Sequence, residues 1–152
     1  ALQRVPPAPF GWVRNAAQLG YALARTYPPA TRVGLFAIGA AGYTSGLPVV
    51  DALGLADRHV AGRHLSHEHV CKLDIGHERG DPDYVLQQAD VVVPFGAFAP
   101  VPFESLSEVR EGFYSQKKFL AAAQRAVAER RFRLQNIEFA PGAYWLVLEK
   151  VR

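Results

Sequence analysis

Two apolar runs, Val33–Ile38 and Leu47–Asp51, are separated only by the small-residue stretch "GAAGYTSG". Aliphatic runs bounded by glycine and proline read as strands, and the gap has room for two helical turns at most. Strand, glycine turn, strand and aspartate together are close to the grammar of a dinucleotide site. The complete fingerprint needs G-x-G-x-x-G at a strand-to-helix turn, with an acidic residue about 20 residues further on. Here Gly39, Gly42 and Gly46 include no pair two residues apart, and Asp51 comes only twelve residues after Gly39. No lysine follows in the pattern of a phosphate-binding loop either. The glycines are therefore expected to permit a tight turn, with Tyr43 and Asp51 at the mouth of a sheet and no bound cofactor.

The remaining chain supplies the rest of an α/β domain. Trp12, Ala16, Leu19, Leu23 and Tyr27 recur at spacings of three and four, which makes one apolar helical face. Pro28 and Pro29 end it. "RHVAGRH" suits a short helical or irregular piece, and residues 72–83 a polar surface loop. Asp81 ahead of Pro82 marks another helix start. "ADVVVPFG" does not alternate and reads as a strand buried on both sides, whereas "FGAFAPVPF" reads as a loop or an apolar contact patch. A helix is expected from Ser105 through Ala128, broken near Gly112. "RFRLQNIEFA", a Pro-Gly turn and "AYWLVLEKV" form an antiparallel hairpin, with Phe132, Leu134 and Ile137 as candidates for one side and a slip of phase near Asn136. This order predicts an α/β fold with a Rossmann-like layered sheet, parallel strands first and a C-terminal antiparallel hairpin. Residues 1–11, containing "RVPPAPF", read as a proline-rich tether, and 12–152 as a single domain.

Charge is uneven along the chain. Residues 1–30 carry three arginines and no acid, 31–110 ten acids and six bases, and 111–152 eight bases and four acids. A basic start and end flanking an acidic middle can face phosphates or an anionic surface. "ERRFRLQ" is the one basic–aromatic stretch suggestive of nucleic acid, but such charges are ordinary on an edge strand, so no nucleic-acid partner is expected. No apolar run approaches the roughly 20 residues that span a bilayer. The chain has no methionine, which fits a processed form or a piece of a longer protein. The lone Cys71 excludes an intrachain disulfide framework and suits a small buried apolar position.

All five histidines, His59, His64, His67, His69 and His77, fall within nineteen residues. His67, His69 and Cys71 would share a face if extended. Neither H-E-x-x-H nor C-x-x-C is present, so no metal is expected. Nor is there a G-x-S-x-G elbow or another assembled catalytic constellation, and no catalytic residue is assigned.

"GAAGYTSGLPVVDALGLADRHVAGR", "GHERGDPDYVL" and "ADVVV" resemble the soluble C-terminal portion of polytopic membrane glycosyltransferases of the GT-C type. The likeness is to their arabinofuranosyltransferase-like and mannosyltransferase-like branch. It rests on Tyr43, Ser45, Gly46, Pro48, Val49, Asp51, Gly54, Leu55 and Asp57, then on Gly76, His77, Gly80, Pro82, Asp83 and Tyr84. The resemblance implies a domain on the extracytoplasmic face of the cytoplasmic membrane, attached to a transmembrane portion that uses a polyprenyl-phosphate sugar donor. In such enzymes the catalytic acids lie in loops between membrane helices, so this segment would be a non-catalytic accessory. It would dock on the transmembrane portion of the same polypeptide and contact acceptor glycan. Tyr43, Ser45, Asp51, Asp57 and His77 are then the candidate ligand-facing residues, and Tyr43, Phe98 or Trp145 are candidates for stacking on a sugar. Two other readings stand beside it. One is a free-standing α/β protein binding a phosphorylated or sugar-like ligand in the Gly39–Asp51 crevice. The other is an interaction module using the Phe95–Phe103 stretch.

Overall fold

The computed structural model describes residues 11–62, 80–109 and 114–152. Helix α1 spans Trp12–Thr26 and buries Ala16, Leu19, Gly20, Ala22 and Leu23 along one face. It ends where Tyr27 turns extended, its N–H still bonded to Leu23 O, just before the two prolines. Then follow β1 (Val33–Leu35), α2 (Ile38–Ser45), β2 (Val49–Asp51), α3 (Arg58–Ala61), α4 (Pro82–Gln88) and β3 (Val91–Val93). Beyond these come β4 (Phe98–Ala99), a 3-10 turn at Leu106–Glu108, α5 (Tyr114–Ala128), β5 (Phe132–Ala140) and β6 (Ala143–Lys150).

These strands form one mixed sheet of six. β1 lies at the centre of the parallel part, with β2 on one side and β3 on the other. β3 then meets β6 antiparallel, and β6 pairs with β5 over the length of the C-terminal hairpin. Because β5 occupies one edge of β6, β3 and β4 share the other. Helices cover both faces. Leu19 and Leu23 of α1 and Ala41 of α2 pack with Val33, Leu35, Val91, Trp145 and Val147. Val85 and Leu86 of α4 and Phe119 and Leu120 of α5 pack with Val50, Val92, Leu146 and Leu148. Each buried aliphatic side chain of this kind stabilises the fold by about 1.5–3 kcal/mol relative to exposure.

Several expectations change. Gly39 and Gly42 lie inside α2 rather than in a tight turn, and the chain turns instead at Gly46, with φ of 61°. "FGAFAPVPF" is not only loop, because Phe98 and Ala99 pair with Trp145 and Tyr144 as the short strand β4. The helix expected from Ser105 through Ala128 starts as a 3-10 turn at Leu106–Glu108 and continues as α5 from Tyr114, and the expected break near Gly112 lies outside the described residues. Ile137 does not share a side with Phe132 and Leu134. It packs toward α1 and they pack toward α5, because β5 is covered on both faces and both parities of the strand are apolar. Residues 1–10 of the tether, most of the 72–83 loop, Cys71 and His64, His67, His69 and His77 also lie outside the described residues.

The α1–α2 contact depends on one small residue. The Thr44 hydroxyl of α2 lies 2.9 Å from Ala17 O of α1 and 2.8 Å from its own-helix Ala40 O. A Cβ on Gly20 would run into that hydroxyl and stand 2.5 Å from Ala41 O, which is backbone and cannot swing away. Gly20→Ala is therefore expected to destabilise the protein by about 1–3 kcal/mol despite alanine's better helix propensity. Urea unfolding measures this, and an unchanged or raised midpoint would refute the close packing.

Candidate functional site

The two motif segments converge beyond the carboxyl end of β2. That strand closes on Asp51, only 3% exposed. Its Oδ1 accepts Leu53 N–H at 3.0 Å and its Oδ2 accepts Ala56 N–H at 2.6 Å. A buried carboxylate aimed back at its own loop folds residues 52–56 into a compact turn. Gly54 completes that turn with φ of 78°, and a Cβ there would stand 2.7 Å from Ala61 N. The "ALGLAD" glycine is thus required both by backbone conformation and by the nearness of α3.

Asp57 caps α3, its Oδ1 accepting His59 N–H at 2.9 Å and Val60 N–H at 3.2 Å. Asp81 caps α4 in the same manner, accepting Tyr84 N–H at 3.1 Å ahead of Pro82. Each cap also has an oxygen left for the other segment. The Tyr84 hydroxyl donates to Asp57 Oδ2 at 3.1 Å, and His59 Nε2 lies 2.9 Å from Asp81 Oδ2. An ionised carboxylate only accepts, so Nε2 carries the proton in that bond. The His59 and Tyr84 rings stack between the two bonds, with centroids 4.0 Å apart and planes 16° from parallel. Four side chains thereby clasp α3 to α4. Desolvation, then the bond to Asp57, raises the Tyr84 phenol above its ordinary value, so it remains a donor through neutral pH.

Ser45 is buried at the end of α2, donating to Gly42 O at 3.0 Å and accepting Leu47 N–H at 3.3 Å. Tyr43 is 90% exposed on the outer side of α2. His77 lies outside the described residues. The structure therefore joins Asp57 to the second motif through Tyr84, gives Asp51 and Ser45 to local backbone, and leaves Tyr43 to solvent. Sequence reasoning missed the part of His59, which looked like one histidine among five. Its place directly after Asp57 at a helix start was the available signal, but its partner Asp81 is 22 residues away.

The clasp presents no free pair of acids for proton transfer, since Asp51, Asp57 and Asp81 all accept hydrogen bonds from the protein. No group of three or more His, Cys, Asp or Glu among the described residues could hold a metal. A second concavity lies at the carboxyl ends of β1 and β3, where the chain order reverses and open α/β sheets usually take ligands. It is lined by Leu35, Phe36, Val93, Phe95, Trp12 and Trp145 and offers no charged side chain to a pyrophosphate.

Asp51→Ala is expected to cost about 2–4 kcal/mol, because two backbone N–H groups lose their acceptors together. A loss under about 0.5 kcal/mol in chemical denaturation would mean that the loop does not depend on it. For the clasp, Asp57→Ala and Tyr84→Phe are expected to couple in a double-mutant cycle by about 0.5–1.5 kcal/mol. Because the Tyr84 value is raised on folding, its contribution is fully present at neutral pH and is lost as pH climbs through that raised value. Zero coupling at neutral pH would refute the interaction.

The chain has no match among curated proteins or among solved structures. A family model described as Domain of unknown function (DUF8728) matches residues 11–144, and the chain belongs to that family.

Proposed function

We propose that this domain, a Rossmann-like layered unit, is a non-catalytic accessory of a polytopic membrane glycosyltransferase. It would lie on the extracytoplasmic face, dock on the transmembrane portion of the same polypeptide and face the acceptor glycan. The observation that carries the reading is the meeting of the two motif segments in one clasp, Asp57–Tyr84 and His59–Asp81. Of the residues that carry the resemblance, Asp57 serves there as a helix cap and Tyr84 as a brace, which suits a rigid platform better than a reaction centre. His59, with its side chain half exposed, is open to a glycan.

A docking face is supported by a separate feature. Tyr43 is 90% exposed and Leu55 75% exposed, and both flank β2, an edge strand whose Val49 also reaches solvent. Among the described residues no strand pairs with the outer edge of β2. Exposed apolar side chains beside an open strand edge are typical of surfaces that meet another protein surface. The same feature equally favours a plain interaction module as the second reading.

The isolated domain is expected to transfer no sugar from a polyprenyl-phosphate donor to arabinan or mannan acceptors in a radiolabel assay. Tyr43→Ala combined with Leu55→Ser in the whole polypeptide is expected to lower transfer severalfold while leaving the isolated domain's melting temperature nearly unchanged. Sugar transfer by the isolated domain would overturn the accessory role, and undiminished transfer by the double variant would overturn docking through this face.

A further inference from the structure

The uneven charge of the sequence becomes a polarity of the fold. β1 and β3 begin side by side, with Asp90 N–H on Arg32 O at 2.8 Å, and β6 ends against them, with Lys150 N–H on Asp90 O at 2.8 Å. β5 begins opposite Lys150, and Val151 N–H on Arg131 O closes the same end at 2.8 Å. α1 and α5 finish here too, so Arg25 and Arg125 join Arg32, Arg130, Arg131 and Lys150 at one pole. All six are exposed. They come from segments far apart in sequence, and only the sheet gathers them.

The acids at this pole are fewer and mostly engaged. Glu129 holds Arg131 at 2.8 Å, Glu149 holds Arg133 and the Tyr27 hydroxyl, and Asp90 accepts the Arg32 N–H at 3.0 Å. Asp83, on the first turn of α4, adds one carboxylate at the rim. Arg25, Arg125, Arg130 and Lys150 form no ion pair among the described residues. Lys150 does answer a helix end, its ammonium donating to Gln87 O of α4 at 2.7 Å. Helix ends carry about half a negative charge each, too little to neutralise the pole. At the opposite pole the balance reverses, because Asp51, Asp57 and Asp81 gather there.

A groove of about 330 Å³ opens between α4 and the end of the hairpin, beside Lys150 and Arg131. Its lining includes the buried Leu86 and Phe132 and the half-exposed Val151. Cations around an apolar recess suit a partner that is anionic at its surface and hydrocarbon-like beneath, as a phospholipid leaflet is. Nucleic acid is the poorer match. Phe132 of "ERRFRLQ" is 2% exposed, so that stretch offers no ring on which a base could stack.

We propose that this pole docks on an anionic phospholipid surface, its cations meeting headgroup phosphates and Val151 reaching toward the glycerol level. The domain then stands with the amino ends of its parallel strands on the lipid. The α3–α4 clasp, beyond the carboxyl end of β2, is held on the far side. The pole shares no residue with the docking face at Tyr43 and Leu55, so this inference stands or falls separately from that one.

Vesicles of phosphatidylglycerol and phosphatidylcholine in equal parts are expected to sediment the 152-residue chain, with binding that weakens steeply as salt is added. Vesicles of phosphatidylcholine alone are expected to leave it in solution. Arg25→Gln, Arg125→Gln and Arg130→Gln together remove three cations that hold no partner among the described residues. Partitioning is expected to drop about tenfold or more, from a ceiling of about fivefold per charge. Arg14→Gln with Arg58→Gln removes exposed charge from the other pole and is expected to leave partitioning nearly unchanged. Should the triple variant fold poorly, amide exchange of the unaltered chain serves instead, with vesicles slowing exchange at residues 129–132 and 150–152. No sedimentation with the anionic vesicles, equal loss in both variants, or slowed exchange confined to residues 52–59 would overturn the proposal. So would tighter binding to a single-stranded oligonucleotide than to the anionic vesicles at equal phosphate, which would assign the pole to nucleic acid.

Discussion

The fold depends on β6 being hydrogen-bonded along both edges. Its partner on one side is the adjacent strand of the hairpin, a contact any tight turn could make. Its partners on the other side are β3 and β4, with Leu146 N–H on Ala97 O and Lys150 N–H on Asp90 O, each at 2.8 Å. This second edge converts a small parallel sheet and a separate hairpin into one sheet with two coverable faces. An isolated two-stranded hairpin is marginal in water, and three parallel strands of three residues each have little area of their own. Trp145, Leu146, Val147 and Leu148 are accordingly all buried, two toward each layer of helices.

The same strand anchors the end of α1. The Tyr27 hydroxyl donates to Glu149 Oε1 at 2.6 Å, while Arg133 of β5 takes the other carboxylate oxygen at 2.8 Å. Burial, and then the bond to Glu149, hold the Tyr27 phenol well above its usual value, so it stays a donor through neutral pH. Glu149 thus ties a helix, a hairpin and the parallel sheet together at one point. It also neutralises a cation of the basic terminal segment, and Arg131 is likewise paired, with Glu129 at 2.8 Å. Part of the positive charge that looked available for phosphates is spent on local structure.

At the opposite end of the sheet, acidic side chains serve geometry in the same way. Asp51, Asp57 and Asp81 each turn a carboxylate onto backbone N–H groups that would otherwise lack partners at a loop or helix start. Three such acids near the carboxyl ends of strands resemble a reaction centre when seen as a composition. Their hydrogen bonds identify them as the means by which the loop after β2 and the starts of α3 and α4 are held.

The local pattern of the chain determined a good deal. The α1 face, the Asp81–Pro82 helix start, the buried "VVV" strand and the hairpin about Pro141–Gly142 all follow from spacing, capping and turn chemistry, which act between residues close in sequence. The absence of a dinucleotide fingerprint was legible for the same reason. Tertiary structure alone decided the rest. Phe98 and Ala99 become a strand because β6 offers them an open edge, and Ile137 turns away from Phe132 because helices cover both faces of β5. His59 finds Asp81, and Asp57 finds Tyr84, across 22 and 27 residues, a pairing set by where α3 and α4 come to lie. Spacing in the sequence encodes which groups can share a turn or a face. Which distant groups share a bond depends on the packing of the whole sheet.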